Sequence, residues 1–396
     1  MEYRKISELT NVVTGGTPST AKNEYWDNGD IPWLQSGCCQ NCFVDKADKY
    51  ITKLGYDNSS TKMMPKDTIM IALTGATAGK VGYLNFEACG NQSITGILPS
   101  DNIYPKFLFY YLQSKRDKIL SDCIGGAQPH ISQGYVKDIL VPFLSIDKQN
   151  ELSETLDNIS NIISGLNRKV NLLDELVKAR FVEMFDNIGK KVTLSELCDV
   201  SGGYSFKSGD ISDNNDGIKI LQIGNVALND VTWETTNYLP IEYKEKYCSF
   251  ALKENDIVVA LTRPIIQSLN NAKVCMVRDV DLPCLLNQRV GKISPKNNKK
   301  TNAKFIYSCL LTDKFTTYVK DSCTGGLQPN ISTKDIEKYP IPDVDVNIQN
   351  EFVSFKEQID KSKFIESLCN ISSMRLFYIT LTYHSIFHCC IYLRMS

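Results

Sequence analysis

Several features of secreted, catalytic and DNA-binding proteins are missing or scarce in this 396-residue sequence. The first ten residues include Arg4, Lys5 and Glu8 and contain no apolar run that could act as a secretory signal, so we expect a cytoplasmic protein. Fourteen cysteines in such a chain indicate reduced, mostly buried thiols rather than a disulfide framework. The net charge of −1 gives no support to DNA binding, because DNA-binding domains are often basic.

Motifs for metal, nucleotide and methyl-donor chemistry are incomplete. Cys39 and Cys42 have C-x2-C spacing, but no second pair completes a tetrahedral zinc site. Residues 74–80 resemble a phosphate loop, yet three residues rather than four separate the glycines and Val81 replaces the magnesium-binding Ser or Thr, so we interpret the segment as a turn between strands. A Gly-rich strand-to-helix turn for a methyl donor and an Asn/Asp-Pro-Pro-aromatic motif are both missing. We therefore expect a chain that is not an enzyme and binds no cofactor or metal.

An internal repeat is the strongest feature of the sequence. Gly-Gly-x-Gln-Pro-x-Ile-Ser occurs at residues 125–132 and again at 325–332. Further matched blocks follow the same order: Val-Thr-Gly-Gly at 13–16 with Val-Ser-Gly-Gly at 200–203, Leu-Gln at 34 and 221, Ala-Leu-Thr at 72 and 260, Asn-Gln at 91 and 287, and Gln-Asn-Glu at 149 and 349. The offset grows from 187 to 200, which indicates two copies of one domain that have diverged in their loops.

Each copy combines strands and helices. Short β-rich runs at 68–73 and 256–261 are bounded by turn residues, and helical segments are predicted at 104–120 and 303–319. The sequence therefore predicts an α+β fold for each globule, with loops long enough to carry a binding surface.

A long helix is predicted after the first globule, from residue 147 to about 185. This stretch lacks proline, and its apolar residues follow heptad steps of four and three: Leu152, Leu156, Ile159, Ile163, Leu166, Val170, Leu173 and Val177. Roughly 39 helical residues would span about 60 Å. This pattern is typical of a coiled-coil spacer.

The second copy begins the same helix, but its pattern changes. Ile348, Phe352, Phe355 and Ile359 keep the apolar positions, and the next positions carry Ser362, Lys363 and Glu366. Residues 376–393 are uncharged, which is at the lower length limit of a membrane anchor but is diluted by polar residues. We expect the helix to be truncated at about residue 365, to leave about half of the first helix's apolar seam uncovered, and to be followed by a tail in an altered reading frame.

The polar side chains suited to reading base edges or phosphates remain as candidates. Gln and Asn can bond adenine in the major groove, and Arg and Lys can bond guanine. Three pairs of candidates are identical in both copies: Gln35 and Gln222, Gln92 and Gln288, and Gln128 and Gln328. A common scaffold would also keep such residues for structural reasons. The preferred readers are Lys80, Gln92, His130, Arg263, Gln267, Arg289 and Asn330, with Lys299 in a basic loop that also contains Lys296 and Lys300. A catalytic role for His130 is disfavoured because Asn330 replaces it in the second copy.

The order of globule, long helix, globule and helix resembles the specificity subunits of type I restriction-modification systems. The resemblance rests on the Gly-Gly-x-Gln-Pro-x-Ile-Ser block, the Ile139–Pro142 and Tyr339–Pro342 segments and the Gln-Asn-Glu helix starts, and covers residues 1 to about 363. It implies two homologous α/β target-recognition globules separated by long antiparallel coiled-coil helices, in a pseudo-two-fold internal repeat. The expected domains are target-recognition domains at 1–145 and 187–345, spacer helices at 146–186 and 346–365, and an atypical tail at 366–396.

The resemblance also implies partners. They are double-stranded DNA, two methyltransferase subunits that supply S-adenosylmethionine, and restriction subunits that use ATP and magnesium; no membrane is expected. Two other functions stay open, which are a coiled-coil adaptor that does not bind DNA and a silent copy derived by recombination. A modification enzyme with fused recognition domains is disfavoured because a methyltransferase domain is missing.

Overall fold

A computed structural model describes residues 2–122, 130–268, 270–324, 326 and 328–392, with side chains described as far as residue 377. The chain divides into two compact units. The first contains residues 1–170 and the chain from Ile365 onward, and the second contains Asn171–Phe364. The expected globules, 1–145 and 187–345, each lie within one unit.

Among its described residues, the first unit contains ten strands and five short helices besides its parts of the two long helices. The strands are β1 (Tyr3–Lys5), β2 (Val12–Thr14), β3 (Ile31–Leu34), β4 (Cys42–Val44), β5 (Lys49–Ile51), β6 (Ile69–Ala72), β7 (Val81–Leu84), β8 (Cys89–Gly90), β9 (Ile94–Ile97) and β10 (Leu140–Pro142). The helices are α1 (Ile6–Leu9), α2 (Lys53–Asp57), α3 (Pro105–Ser114), α4 (Arg116–Ser121) and α5 (Gln133–Asp138). The long helix α6 (Ile146–Phe185) follows.

Three sheets form the first globule. Their strand orders are β2-β9-β6-β7-β4, β5-β3-β8 and β1-β10. Strands β6 and β7 are short and all of their residues are buried, which is typical of the centre of a packed sheet. The residues between them form a tight turn and the two strands pair antiparallel, so the interpretation of residues 74–80 as a turn is confirmed.

The second unit repeats this plan with the strands β11 (Lys191–Thr193), β12 (Cys198–Gly202), β13 (Ile218–Leu221), β14 (Asn237–Leu239), β15 (Ile257–Ala260), β16 (Ile265–Ile266), β17 (Asn271–Ala272), β18 (Val274–Met276), β19 (Cys284–Leu286), β20 (Val290–Pro295) and β21 (Pro340–Pro342). Its helices are α7 (Leu194–Leu197), α8 (Tyr243–Lys246), α9 (Ala303–Leu310), α10 (Asp313–Ser322) and α11 (Thr333–Glu337). The last helix, α12 (Val346–Tyr392), begins in this unit.

The sheet topology confirms the internal repeat. The orders β12-β20-β15-β18, β14-β13-β19 and β11-β21 match the three sheets of the first unit, strand for strand, apart from the extra edge strand β4. The β16-β17 hairpin of the second unit takes the place of the turn between β6 and β7. The predicted helices at 104–120 and 303–319 are each two helices, because the chain leaves helical geometry at Lys115 and at Leu311–Thr312.

The helix α6 begins and ends close to its predicted bounds. Its first turns bury Leu152 and Leu156 in the core of the first globule. Its last turn buries Phe185 in the core of the second, against Phe305 and Phe352. Each end of this helix is therefore part of a hydrophobic core.

The expected end of the second helix near residue 365 is wrong, because α12 continues to Tyr392. Residues 363–392 contain neither proline nor glycine, so nothing in the backbone stops the helix. In the second unit, the side chain of Lys363 bonds Asp174 of α6, and Arg180 bonds Glu351. These two pairs run in opposite directions along the helices, so α6 and α12 are antiparallel there.

In the first unit, polar residues of α12 occupy the contact with α6. Glu366 pairs with Lys169, and the Nδ2 of Asn370 donates to the Oδ1 of Asn167 at 2.6 Å. Leu166 and Val170 of α6 are accordingly partly buried. The expectation that half of the α6 seam stays uncovered is therefore wrong, since polar side chains with partners on α6 continue the contact. Within the part of the chain that the structure describes, no helix has the length and apolar character to cross a membrane.

Candidate nucleic-acid interface

Five segments of each globule meet at one side, which we call the loop edge. In the first globule these segments are residues 15–16, 34–35, 73–74, 91–93 and 130–131. In the second they are residues 203–204, 221–222, 261–262, 287–289 and 330–331. Four of the five segments adjoin the ends of strands, and the last is held to the third by a backbone bridge, so the backbones are fixed while the side chains are free to vary.

The same backbone hydrogen bonds join these segments in both globules. In the first, the amides of Gly15, Gly16, Asn91, Leu73 and Ile131 donate to the carbonyls of Ile94 (3.1 Å), Gly90 (2.8 Å), Leu34 (2.9 Å), Ser93 (2.9 Å) and Leu73 (2.9 Å). In the second, the amides of Gly203, Tyr204, Asn287, Leu261 and Ile331 donate to the carbonyls of Val290 (3.1 Å), Leu286 (3.0 Å), Leu221 (3.0 Å), Arg289 (2.9 Å) and Leu261 (2.9 Å). These bonds define which residues of the two globules are equivalent.

One glycine match from the sequence is shifted by one residue. The sequence blocks align Gly15 with Gly202, but the hydrogen bonds make Gly15 equivalent to Gly203. A Cβ atom on Gly15 would lie 2.2 Å from the carbonyl oxygen of Asn91, and one on Gly203 would lie 2.3 Å from that of Asn287. Only glycine fits such a close approach, so this residue is required by the scaffold.

Two predicted readers are equivalent residues at the loop edge. His130 forms a bridge with Thr74, and Asn330 forms the matching bridge with Thr262. Both side chains are exposed. The Nδ2 of Asn330 donates to the carbonyl of Gln328 at 2.8 Å. Among the described residues, its amide oxygen accepts no hydrogen bond. Gln128 lies outside the described residues, whereas its counterpart Gln328 is exposed.

Gln92 and Arg289 are also at the loop edge. Gln92 is exposed and accepts a hydrogen bond from the hydroxyl of Thr17 at 2.5 Å. Arg289 is exposed, and its equivalent in the first globule is Ser93. The scaffold therefore accepts a neutral, short side chain at the place where the second globule has a guanidinium.

Arg263 lies in a strained backbone conformation at the same edge. Its φ is +45°, and the equivalent residue of the first globule, Gly75, has φ +71°. The left-handed region costs a residue with a side chain about 1–2 kcal/mol, whereas glycine adopts it freely. A Cβ atom on Gly75 would meet no atom within 4 Å, so a side chain at this position extends into open space. The second globule thus has an exposed arginine at a backbone position that is unfavourable for any residue with a side chain.

Lys80 has an equivalent that the sequence analysis missed. The amide of Ala72 donates to the carbonyl of Lys80 at 3.0 Å, and the amide of Ala260 donates to the carbonyl of Lys273 at 3.1 Å. A Lys-Val pair in both copies, at 80–81 and 273–274, could have revealed this match. The Nζ of Lys80 donates to the side-chain oxygen of Gln40 at 2.6 Å.

Gln267 and Lys299 have different surroundings from the other candidates. Gln267 is exposed in the turn of the β16–β17 hairpin, which begins just after Arg263. Lys299 and its neighbours Lys296 and Lys300 follow Pro295, the end of β20 opposite Arg289. Six strand residues separate these ends, which corresponds to about 20 Å. The basic loop is therefore not part of the loop edge, and the Nζ of Lys296 is bonded to the carbonyl of Ser195 at 2.5 Å.

The shared glutamines at the first turn of each edge differ in their contacts. Gln35 is exposed. Gln222 accepts a hydrogen bond from Asn237 at 2.6 Å and donates its backbone amide to Asn225 at 2.9 Å. The scaffold interpretation of this residue is therefore supported in the second globule.

The electrostatics of the loop edges favour an anionic or electron-rich ligand. Among the described residues, Arg263 and Arg289 form no ion pair with a carboxylate. Their charges are available to a ligand from outside. In the same part of the chain, no cluster of His, Cys, Asp or Glu could hold a metal ion.

The Gln-Asn-Glu blocks have a structural role that the sequence did not indicate. Gln149 is buried, accepts a hydrogen bond from the amide of Tyr104 at 2.8 Å and donates to the carbonyl of Leu144 at 2.9 Å. Gln349 is bonded in the same way to Asn302 at 2.9 Å and Val344 at 3.0 Å. Each glutamine thus fixes a long helix to the start of the globule's own helix, α3 or α9. Each globule is therefore joined to its long helix by a buried amide in addition to the apolar contacts of the core.

Comparisons with known proteins agree with this architecture. The model of the family described as type I restriction modification DNA specificity domain matches residues 1–173 and 189–369. The MjaVIII specificity subunit of Methanocaldococcus jannaschii is 26% identical over 360 residues, which are 86% of this chain and 81% of that protein. The EcoAI specificity subunit of Escherichia coli is 30% identical over 176 residues, which are 43% of this chain and 29% of that protein.

Two solved structures share the fold over most of the chain. A type I restriction-modification S subunit from M. genitalium aligns with TM-score 0.53 and 16% identity, over 96% of this chain and 94% of that one. A chain from a study of complex assembly and conformational transition of the type I system aligns with TM-score 0.60 and 14% identity, over 96% of both chains. The family model covers most of the sequence in two copies, one for each globule. The chain therefore belongs to the type I restriction modification DNA specificity domain family.

Proposed function

We propose that this chain is the DNA-recognition subunit of a type I restriction-modification complex, and that each loop edge reads one half of a bipartite DNA site. The observation that carries the proposal is the matched hydrogen-bond frame of the two edges. The same backbone presents Ser93, Gly75 and His130 in one globule and Arg289, Arg263 and Asn330 in the other. A scaffold that is repeated while its outward side chains change is suited to reading two different sequences.

The side chains suggest how the half-sites differ. Arg and Lys bond guanine, and Asn and Gln bond adenine, in the major groove. The second edge has two arginines free of carboxylate partners among the described residues, whereas the first has Lys80, Gln92 and His130. We therefore expect the second half-site to depend more strongly on guanine contacts.

The long helices are proposed as the spacer and the docking surface for two methyltransferase subunits. Apart from the antiparallel contacts, the helices expose large apolar side chains. In the first unit Ile162 is 54% exposed and Ile371 is 50% exposed, and in the second unit Leu172 is 52% exposed. Exposed apolar side chains at this spacing suit the apolar faces of partner helices.

The partner subunits would supply what this chain does not. We propose that the methyltransferases bind S-adenosylmethionine and that the motor-nuclease subunits use ATP and magnesium, in the cytoplasm. With a net charge of −1, the chain would take much of its phosphate contact, which dominates DNA affinity, from these partners. DNA binding by the chain alone should then be weak.

Methylome sequencing tests the proposal. Cells that express this chain with its cognate methyltransferase are compared with cells that lack the chain. A new adenine mark in a split motif is the expected result, and both half-sites can be read from it. No mark, with the chain present and assembled with the methyltransferase, would contradict the proposal and favour a silent copy. A chain that does not assemble with the methyltransferase would favour the adaptor function.

A variant pair assigns the edge to its half-site. Arg289→Ser introduces the residue that the first globule has at the equivalent position, so the fold should be kept. The expected result is relaxed specificity at one position of one half-site, because losing a bidentate contact costs about 1–3 kcal/mol of discrimination. Lys299→Ala, at the other end of β20, is the control and should leave the motif unchanged. An unchanged motif for Arg289→Ser would argue against this edge.

A further inference from the structure

Three cysteines are clustered in the loop that follows β3 in the first globule. Cys38 and Cys39 follow Gln35 of the loop edge, and Cys42 is the first residue of β4. Cys39 is fully buried, Cys38 is partly buried and Cys42 is exposed. The thiol of Cys42 donates to the carbonyl of Cys38 at 3.7 Å. The loop therefore holds three thiols at graded depths.

The turn after β3 does not require the thiol of Cys38. Cys38 ends a short turn that starts after Gln35, and Asn225 ends the equivalent turn after Gln222. In the second globule, Asn225 accepts from the amide of Gln222 at 2.9 Å and donates to the carbonyls of Thr232 at 2.9 Å and Thr235 at 3.0 Å. An asparagine thus stabilises this turn in the second globule, so the turn can form without a thiol at this position.

The contact between the adjacent thiols favours the thiolate form of Cys38 over that of Cys39. The thiol of Cys39 donates to the sulfur of Cys38, which lowers the pKa of Cys38, although its partial burial opposes this. The same hydrogen bond, together with full burial, raises the pKa of Cys39 well above its ordinary value, so Cys39 keeps its proton. Thiolates are the form that reacts with peroxides.

The cysteine loop is bonded directly to the end of the β6–β7 turn, whose first residues, 73–74, belong to the loop edge. Gln40 accepts the hydrogen bond from Lys80 at 2.6 Å. The backbone of Asn41 donates to the carbonyl of Val81 at 2.7 Å, and its side chain accepts from the amide of Val81 at 3.1 Å. A change in the loop between Cys38 and Cys42 therefore displaces the bonding partners of Lys80 and Val81.

We propose that Cys38 and Cys42 form a peroxide-responsive thiol pair that controls the first loop edge. The thiolate of Cys38 attacks one oxygen of hydrogen peroxide, which breaks the O–O bond and gives a sulfenic acid and hydroxide. The thiol of Cys42 then attacks the sulfenic sulfur, which forms a disulfide and releases water. Two thiols lose two electrons, and the peroxide is reduced to two waters. The covalent link holds Gln40 away from Lys80 until a thiol reductant restores the pair. The effect on DNA reading rests on the proposed function.

Among the described residues, the buried cysteines are poor competitors for this reaction, whereas Cys248 and Cys369 are exposed. Burial raises the pKa of Cys89 to about 11 and that of Cys198, Cys275 and Cys284 to about 12. Cys248 is exposed in the second globule. It is a single surface thiol outside the cluster and therefore serves as the internal control.

The first experiment maps thiols on the full chain treated with hydrogen peroxide. Alkylation and peptide mass spectrometry should find a disulfide between Cys38 and Cys42. Cys38 should react faster than Cys248, since a lowered pKa raises the fraction of a thiol that is present as the reactive thiolate. Cys42→Ser should stop the reaction at a sulfenic acid that dimedone traps. Cys38→Asn, which copies the second globule, should fold and form no link. Equal reactivity of Cys38 and Cys248, or no link, would overturn the proposal.

The second experiment separates the thiol chemistry from the proposed function. The chain and its methyltransferase are assayed for adenine methylation before oxidation, after oxidation and after reduction. The expected result is a reversible loss or change of specificity in one half-site, with Cys38→Asn insensitive to peroxide. If the disulfide forms and methylation is unchanged, the proposal that the thiol pair controls the loop edge is wrong. Methylation that fails even in the reduced state would count against the proposed function, while the mass spectra would still decide the chemistry.

Discussion

The two globules are built alike where they join their helices and differently at their loop edges. Gln149 and Gln349 make the same buried hydrogen bonds at the helix starts. At the edges, by contrast, Gly75 corresponds to Arg263 and His130 to Asn330. Residues whose side chains make these buried hydrogen bonds are therefore the same in both copies, whereas these solvent-facing residues of the loop edges have diverged. Variants at matched positions can test this division.

The largest effect is expected where the helices enter the cores. Phe352 is 1% exposed and contacts Phe181 and Phe185, and its counterpart Leu152 is buried in the first core. Phe352→Ala should destabilise the second unit by about 3–5 kcal/mol, through the lost burial and the cavity left behind. Leu152→Ala should destabilise the first unit by about 2–5 kcal/mol. Hydrogen exchange resolved by residue measures each unit separately.

The control for this comparison is an exposed aromatic on the same helix. Phe364 is 66% exposed, so Phe364→Ala should change stability by no more than about 0.5 kcal/mol. A loss from Phe364→Ala as large as that from Phe352→Ala would show that the division between buried and exposed helix faces is mistaken.

The buried amides should have the next largest effect. Gln349→Leu removes the acceptor for Asn302 and the donor to Val344, and Gln149→Leu does the same in the first unit. Leaving such groups unpaired costs about 1–3 kcal/mol. The second globule has a further bond, because Asn302 donates to Asn350 at 2.8 Å. In the first, Tyr104 takes that place, and the side-chain oxygen of Asn150 is buried without a partner among the described residues. A loss of stability in only one of the two variants would show that Gln149 and Gln349 do not have equivalent roles.

Acid should affect the stability of the two units differently. Asp281 is buried and accepts hydrogen bonds from Trp233 and Arg278 at 2.9 Å. Burial alone would raise the pKa of Asp281, but these bonds hold it below its ordinary value of 3.8. The stabilisation is therefore complete above that pH and is lost as the pH falls through the lower native pKa. The equivalent connection of the first globule carries Glu87, which is exposed.

Asp281→Asn tests this difference. Its destabilisation of the second unit should be full near neutral pH and should shrink below about pH 4, where the wild type loses the same contribution. Acid titration followed by hydrogen exchange in each unit is the measurement. A pH-independent difference between the two proteins would show that the carboxylate charge is not what stabilises this loop.

The smallest effect on stability is expected at the edge. Arg263→Gly relieves a left-handed backbone but adds freedom to the unfolded chain, so we expect a net change within about 1 kcal/mol. The methylated motif should nevertheless change in one half-site. Gly75→Arg, the reciprocal variant, should cost the first unit about 1–2 kcal/mol. Strong destabilisation by Arg263→Gly would mean that the arginine supports the fold rather than a ligand.

Much of the architecture could be predicted because it depends on local patterns. The heptad of α6 fixes its bounds within a residue or two, and the duplicated motifs fix the order of the globules. The end of α12 could not be predicted from the same pattern, because Lys363 and Glu366 find partners on another helix. Charged residues at heptad positions indicate an end only when nothing pairs with them.

The candidate site was predicted in part. His130, Asn330, Gln92, Arg263 and Arg289 are at the loop edges because each adjoins a motif that the scaffold repeats. Lys273 was missed because insertions hide its equivalence to Lys80. Lys299 lies away from the loop edge because its loop follows the end of β20 opposite Arg289. Which end of β20 lies at the loop edge depends on strand pairing in the sheet, and the local sequence does not give that pairing.

The division of the chain has a consequence for its synthesis on the ribosome. The first unit needs residues from Ile365 onward, about 200 residues after Val170. At roughly 5–20 residues per second, these are made about 10–40 s later. During that interval the first globule is translated but its share of α6 lacks the antiparallel helix that contains Glu366 and Asn370. The newborn chain therefore carries an unpaired heptad surface until its last helix emerges, and this is when a chaperone or another protein would find it most accessible.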